Sequence, residues 1–155
     1  MNTLSIPVVA MAGISLYVGF YHLLIYFRRR QNRADLTFAF LCFAIVLYDA
    51  FCVGLYNATS VAEGTQWQRA QFIALAVFVP AFLWFVSDYT RQKPGIAIYL
   101  FSIFYLLAFI VQLLDRSHLT LLVDQPSIKH ITLPYIQPIT YYEAALGPYT
   151  KVQSL

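Results

Sequence analysis

Hydrophobic residues in this chain run together in long blocks separated by short polar breaks. Leu4–Phe27 is apolar and stops at Arg28-Arg29-Arg30, and Leu36–Tyr56 follows Arg33-Ala34-Asp35. A third block covers about Ala70–Tyr89, between Trp67-Gln68-Arg69 and Thr90-Arg91. The fourth, Ile96–Leu114, opens after Pro94-Gly95 and closes at Asp115-Arg116. A helix needs roughly 20 mainly apolar residues to cross about 30 Å of hydrocarbon, and each block is of that length. Backbone groups in lipid must be satisfied internally. The blocks are also longer than the roughly nine to eleven residues of a barrel strand. The pattern therefore predicts an all-α membrane protein: four transmembrane helices over 4–27, 36–56, 70–89 and 96–114, and a separate segment over 115–155.

That last segment changes character. Ser117–Val123 and Lys129–Ile136 are rich in Thr, Ile, Leu, Val and Tyr, and Asp124-Gln125-Pro126-Ser127 between them reads as a turn. Alternation through His130-Ile131-Thr132-Leu133 suits a strand with one buried face. Pro134 and Pro138 confine such a strand to an edge or a short piece, and a third short strand fits Ile139–Glu143. The expectation is a small β-hairpin lid. An isolated hairpin is marginal, so the lid is expected to stay mobile unless a surface covers it.

Composition sharpens this. Of 155 residues, 60% are hydrophobic and 11% charged, against about 45–50% and about 25% in soluble domains. The net charge of +3 does not point to nucleic acid, because the basic residues gather beside the ends of apolar blocks. Arg28, Arg29, Arg30, Arg33, Arg91 and Lys93 fall in the first and third loops. Lys and Arg mark cytoplasmic loops, so the N-terminus and the segment after Asp115 are expected outside. Ala10-Met11-Ala12 has the small-x-small look of a cleavage site, but no basic region precedes it and the apolar block continues past it. The first block thus reads as a span.

The polar residues inside the spans are the candidates for function. Asp49 lies about 20 Å from the cytoplasmic end of its span at 1.5 Å per residue. A carboxylate at such depth is costly, faces other helices and marks function. Cys42 and Tyr56, at heptad spacing from it, complete a mildly polar stripe. Two readings stay open for Asp49: an interhelical lock, or a sensing or ligand group. Ala12, Ser15, Gly19, His22 and Tyr26 form a seam of small and polar residues, the pattern by which membrane helices approach closely. Ser15 is level with Asp49, while His22 is about 10 Å deeper, which argues against a direct His22–Asp49 pair. Packing is the plain account of the seam; a proton- or ligand-responsive His22 is the sharper one. The speculative sensing set is therefore Asp49, His22, Ser15 and Tyr56.

Other features have bland explanations. Cys42 and Cys52 are about 15 Å apart on one helix, too far for a disulfide or a shared metal. Asp88 beside Arg91 reads as an interfacial anchor, and Trp67, Trp84, Tyr89 and Tyr99 as aromatic belts. Pro80 should kink the third helix. Asn57-Ala58-Thr59 reads as a chance glycosylation match. C-x-x-C, H-E-x-x-H, G-x-S-x-G and Walker patterns are absent, and no Lys lies in a span to form a Schiff base. No catalytic residue, cofactor or metal is expected, and the chain does not read as an enzyme.

Tyr17-Val18-Gly19-Phe20-Tyr21-His22-Leu23-Leu24-Ile25-Tyr26-Phe27-Arg28-Arg29-Arg30, with Asp35-Leu36-Thr37-Phe38-Ala39-Phe40, Trp67-Gln68-Arg69 and Phe82-Leu83-Trp84-Phe85, resembles the opening of bacterial seven-helix sensor regions. These are the N-terminal membrane regions of sensor histidine kinases and the similar seven-transmembrane receptors with diverse intracellular signalling modules. The resemblance implies an outer N-terminus and a tail corresponding to the loop between helices four and five. It transfers no catalytic residues, because catalysis in such proteins belongs to cytoplasmic modules. It also implies that this chain holds only the first four helices, as a truncated receptor would. The expected function is sensory input from a ligand or the bilayer to a cytoplasmic module, as a homodimer in the inner (plasma) membrane. A small transporter or permease fragment, or a structural membrane subunit, is the alternative.

Overall fold

The computed structural model describes residues 3–29, 32–114, 120–131 and 139–153. Four long helices come first: α1 (Ser5–Arg29), α2 (Arg33–Asn57), α3 (Val61–Tyr89) and α4 (Ile96–Leu114). All four are long and apolar enough to cross a membrane. Two strands follow, β1 (Leu121–Ile131) and β2 (Ile139–Leu146), and then a short helix, α5 (Pro148–Gln153).

Helix boundaries follow local chemistry. The Asn32 side chain caps α2 by accepting from the Ala34 amide at 3.4 Å. Ser60 caps α3 by accepting from the Glu63 amide at 3.2 Å, while the Glu63 carboxylate reaches back to the Thr59 amide at 2.9 Å. This reciprocal arrangement satisfies the Glu63 amide, which the first turn leaves free, and the Thr59 amide just before the cap. It starts α3 at Val61, nine residues before the apolar block, so the first turns of α3 extend beyond the expected span. α3 then continues through Pro80. At its far end Arg91 adopts φ 55°, and the Gln92 and Arg91 amides donate to the Ser87 and Asp88 carbonyls. That is a Schellman ending, built here on arginine where glycine is usual.

The helices do not close into a bundle. α1 packs on α2, α2 on α3 and α3 on α4, so the four form an open row in sequence order. Gly19 permits the first of these contacts: a Cβ there would lie 3.0 Å from the Phe43 ring and 3.1 Å from the Cys42 Cβ. The seam read from sequence is the less exposed face of α1, whereas Ile14, Tyr17, Phe20, Tyr21 and Leu24 are open. α2 is apolar all round because it is covered from both sides.

β1 and β2 pair antiparallel, from Leu121↔Leu146 to Ile131↔Ile139. The turn expected at 124–127 does not form. β1 runs through it, with a shift of register between Leu122 and Pro126 where the chain bulges instead of reversing. Pro126 brings no amide to the ladder. β1 thus merges the two strands expected before 136, and its partner is the third, short one. The expected positions Thr132, Leu133, Pro134 and Pro138 lie outside the described residues.

The tail is anchored. The Gly147 amide and the Thr150 hydroxyl both donate to the Thr120 carbonyl, at 2.8 and 2.7 Å. Gln112 of α4 donates to Thr150 at 3.3 Å. Gln112 thereby ties the described part of the tail to the end of α4.

Candidate functional site at the sheet end of the helices

The sheet sits over the end of the row where α2 finishes and α3 begins. Two features of α3 allow it. A Cβ on Gly64 would run into the backbone and side chain of Tyr142, so only glycine lets β2 lie this close. One turn further along, buried Gln68 donates to the Ala144 carbonyl at 3.1 Å and accepts from the Ala144 amide at 2.7 Å. The side-chain amide thereby completes the edge of β2 as a neighbouring strand would. α2 contributes Tyr56, whose ring meets Tyr141 edge-on at 5.6 Å. Burial raises the Tyr141 phenol above its ordinary pKa, and the nearby Glu143 carboxylate adds to the effect.

Beneath this contact a polar cluster enters the span. Gln71 of α3 donates to the Cys52 sulfur of α2 at 3.2 Å. One turn below Cys52 on α2 is Asp49, only 8% exposed, whose Oδ2 has no hydrogen-bond partner among the described residues. On the sheet side, Gly54 packs directly against the Trp67 ring, which also meets Phe51. The sheet, α3 and α2 are therefore linked through the side chains of Gln68 and Gln71, with Asp49 buried one turn below Cys52.

The four residues singled out from sequence divide. Asp49 and Tyr56 fall on this site. Ser15 is half-buried on α1, and among the described residues no hydrogen bond links it to Asp49. His22 belongs to the opposite end of the row. Its Nδ1 is 2.9 Å from the Asp35 carboxylate, with the two side chains 28% and 17% exposed, and its ring meets Phe38 edge-on at 4.7 Å. Asp35 is fourteen residues from Asp49, about 21 Å along α2, so His22 and Asp49 are not partners. Asn57 of the glycosylation-like triplet is engaged too, donating to Ser5 and to the Val53 carbonyl.

Gln68, Gln71 and Gly64 were not among the candidates read from sequence. A lone glutamine near a helix end looks like any solvated one until its partner, 76 residues away, is known. Among the described residues no group of three His, Cys, Asp or Glu is placed to hold a metal ion.

One comparison with known proteins decides the family. Residues 7–154 match the model for the N-terminal 7TM region of histidine kinase. The chain belongs to this family. No curated protein and no solved structure matches it. The match runs through the sheet as well as the helices, so both are parts of one histidine kinase membrane region. Such a region is a sensory input element of signal transduction and not the catalytic one. Its helices are embedded in a membrane, and its partner by family is a histidine kinase signalling module.

Proposed function

We propose that this histidine kinase region senses a ligand or the state of the bilayer at its sheet end and passes the response along α2 and α3 to a cytoplasmic module. In this reading the N-terminus and sheet face outward, the membrane is the inner (plasma) membrane, and the region works as a homodimer. Asp49 and Tyr56 lie on the transmitting face; Ser15 and His22 belong to the α1 seam that holds α2 in place. The region itself carries out no chemistry.

The observation that supports this reading is the Gln68–Ala144 pair. It fixes β2 to α3 one turn from Gln71, which bonds Cys52 of α2. A displacement of the sheet therefore changes the packing of α2 on α3. Allosteric coupling needs such an element with two arrangements, biased by the stimulus.

The test is Gln68→Leu in this region joined to its kinase module and reconstituted in vesicles. It removes both hydrogen bonds to Ala144, and basal autophosphorylation should shift about fivefold or more, the scale of ordinary allosteric coupling. Gln66→Leu, at an exposed position of the same helix, should leave it unchanged. Equal activity in the two variants, with the sheet demonstrably released in the first, would exclude this route. The permease alternative rests on Asp49 alone and requires pH-driven uptake by the reconstituted chain.

A further inference from the structure

The opposite end of the helix row, away from the sheet, carries two adjoining hollows. One, of about 610 Å³, lies between the start of α2 and the α3–α4 connection, and its charged lining is Arg33, Arg91, Lys93 and Asp88. Three cations face one carboxylate there, and among the described residues none of the three cations is ion-paired. The second, of about 330 Å³, runs between α2 and α3 along Phe38, Phe85 and Tyr89, with the His22–Asp35 pair at its side. Asn32 borders both. Phe38 and Phe85 lie 5.0 Å apart, Phe85 and Tyr89 5.6 Å, so the aromatic wall is continuous. An aromatic groove thus opens into a cationic basin where the membrane-length helices end.

We propose that this composite site binds a phospholipid with an anionic headgroup, its phosphate among Arg33, Arg91 and Lys93 and its acyl chain along Phe38, Phe85 and Tyr89. Charge complementarity selects the headgroup: three cations outweigh the carboxylates of Asp88 and Asp35, the latter already held by His22, and each Lys or Arg near a membrane surface attracts anionic lipid by about 1 kcal/mol, or roughly fivefold. The apolar groove selects a lipid over free phosphate, which has no use for aromatic walls. The sequence explains the convergence. Asn32 starts α2 at Arg33, and the Schellman ending of α3 turns the chain so that Arg91 and Lys93 face it.

Arg91 supplies a clean variant. Its φ of 55° is a conformation glycine adopts without strain, so Arg91→Gly removes the guanidinium and preserves the helix ending. The full chain, purified in mild detergent, is titrated with phosphatidylglycerol or phosphatidylcholine and read by native mass spectrometry. Phosphatidylglycerol should be retained preferentially. Arg91→Gly should weaken it about fivefold, and the further changes Arg33→Gln and Lys93→Gln by more than tenfold in total. Arg28→Gln with Arg29→Gln, removing charge outside the basin, should weaken retention less than Arg91→Gly alone. Retention undiminished by Arg91→Gly, or loss equally large in the Arg28/Arg29 variant, overturns the proposal; the latter would show diffuse attraction only. Displacement by inorganic phosphate alone would make this a soluble-anion site, and displacement by a glutamate-rich peptide a protein-docking one. Either result also overturns the lipid assignment.

Discussion

Asp49 and Gly64 show how differently single residues carry information in a membrane helix. Asp49 was conspicuous in the sequence because a carboxylate in a span is expensive wherever it points, and its burial between helices accords with that cost. Gly64 was silent because nothing in its neighbourhood marks it as the site of close approach by Tyr142, 78 residues away. The two call for different experiments. Asp49→Asn keeps shape and polarity and should leave the stability of the reconstituted chain within about 1 kcal/mol, as expected where polar contacts between membrane helices are modest. Asp49→Lys should be clearly more destabilising than Asp49→Asn, because a longer side chain of opposite charge must occupy the buried place of the carboxylate. Equal unfolding midpoints for both variants in a denaturant titration would mean that Asp49 reaches water. Gly64→Val, by contrast, should leave the helices intact and increase proteolysis between 120 and 153, because the added carbons occupy the place of β2.

At the scale of elements, the spans were legible because lipid leaves the backbone one economical solution over twenty apolar residues. The start of α3 was missed, although Ser60 and Glu63 spell out a capping box. Hydrophobicity alone drew the boundary, and it is blind to helix outside the bilayer. The Asp124-Gln125-Pro126-Ser127 signal failed for another reason: turn residues also serve bulges, and pairing on both sides decides which. The contact of α1 with α2 offers a test of geometry that no sequence pattern supplied. His22 and Asp35 should couple in a double-mutant cycle using His22→Ala and Asp35→Ala. A coupling of about 0.5–1 kcal/mol is expected for a partly exposed pair. Additive effects would show that their 2.9 Å approach contributes nothing.

For the whole molecule, the open row of helices and the position of the sheet give the two ends unlike characters: one capped by β-structure, the other rimmed with cations. Charge orients membrane proteins, so a cysteine placed at Gln92 should be labelled only from the cytoplasmic side of intact cells, and one at Thr59 only from outside. The native Cys42 and Cys52 are buried in α2 and should stay silent. Labelling at Gln92 from outside would invert the orientation proposed here. The row also has a consequence for biogenesis. Because each helix rests on the one translated just before it, every interhelical contact can form as soon as its second member leaves the ribosome, with no need for a later helix to be threaded between earlier ones. Local pairings of this kind form quickly. The contacts with the sheet must wait: Gln68 is made with α3 but finds Ala144 only after 76 further residues have been made. During that interval the Gln68 amide stands at the membrane surface without its strand partner, and the nascent chain is open at the end that the sheet will later cover.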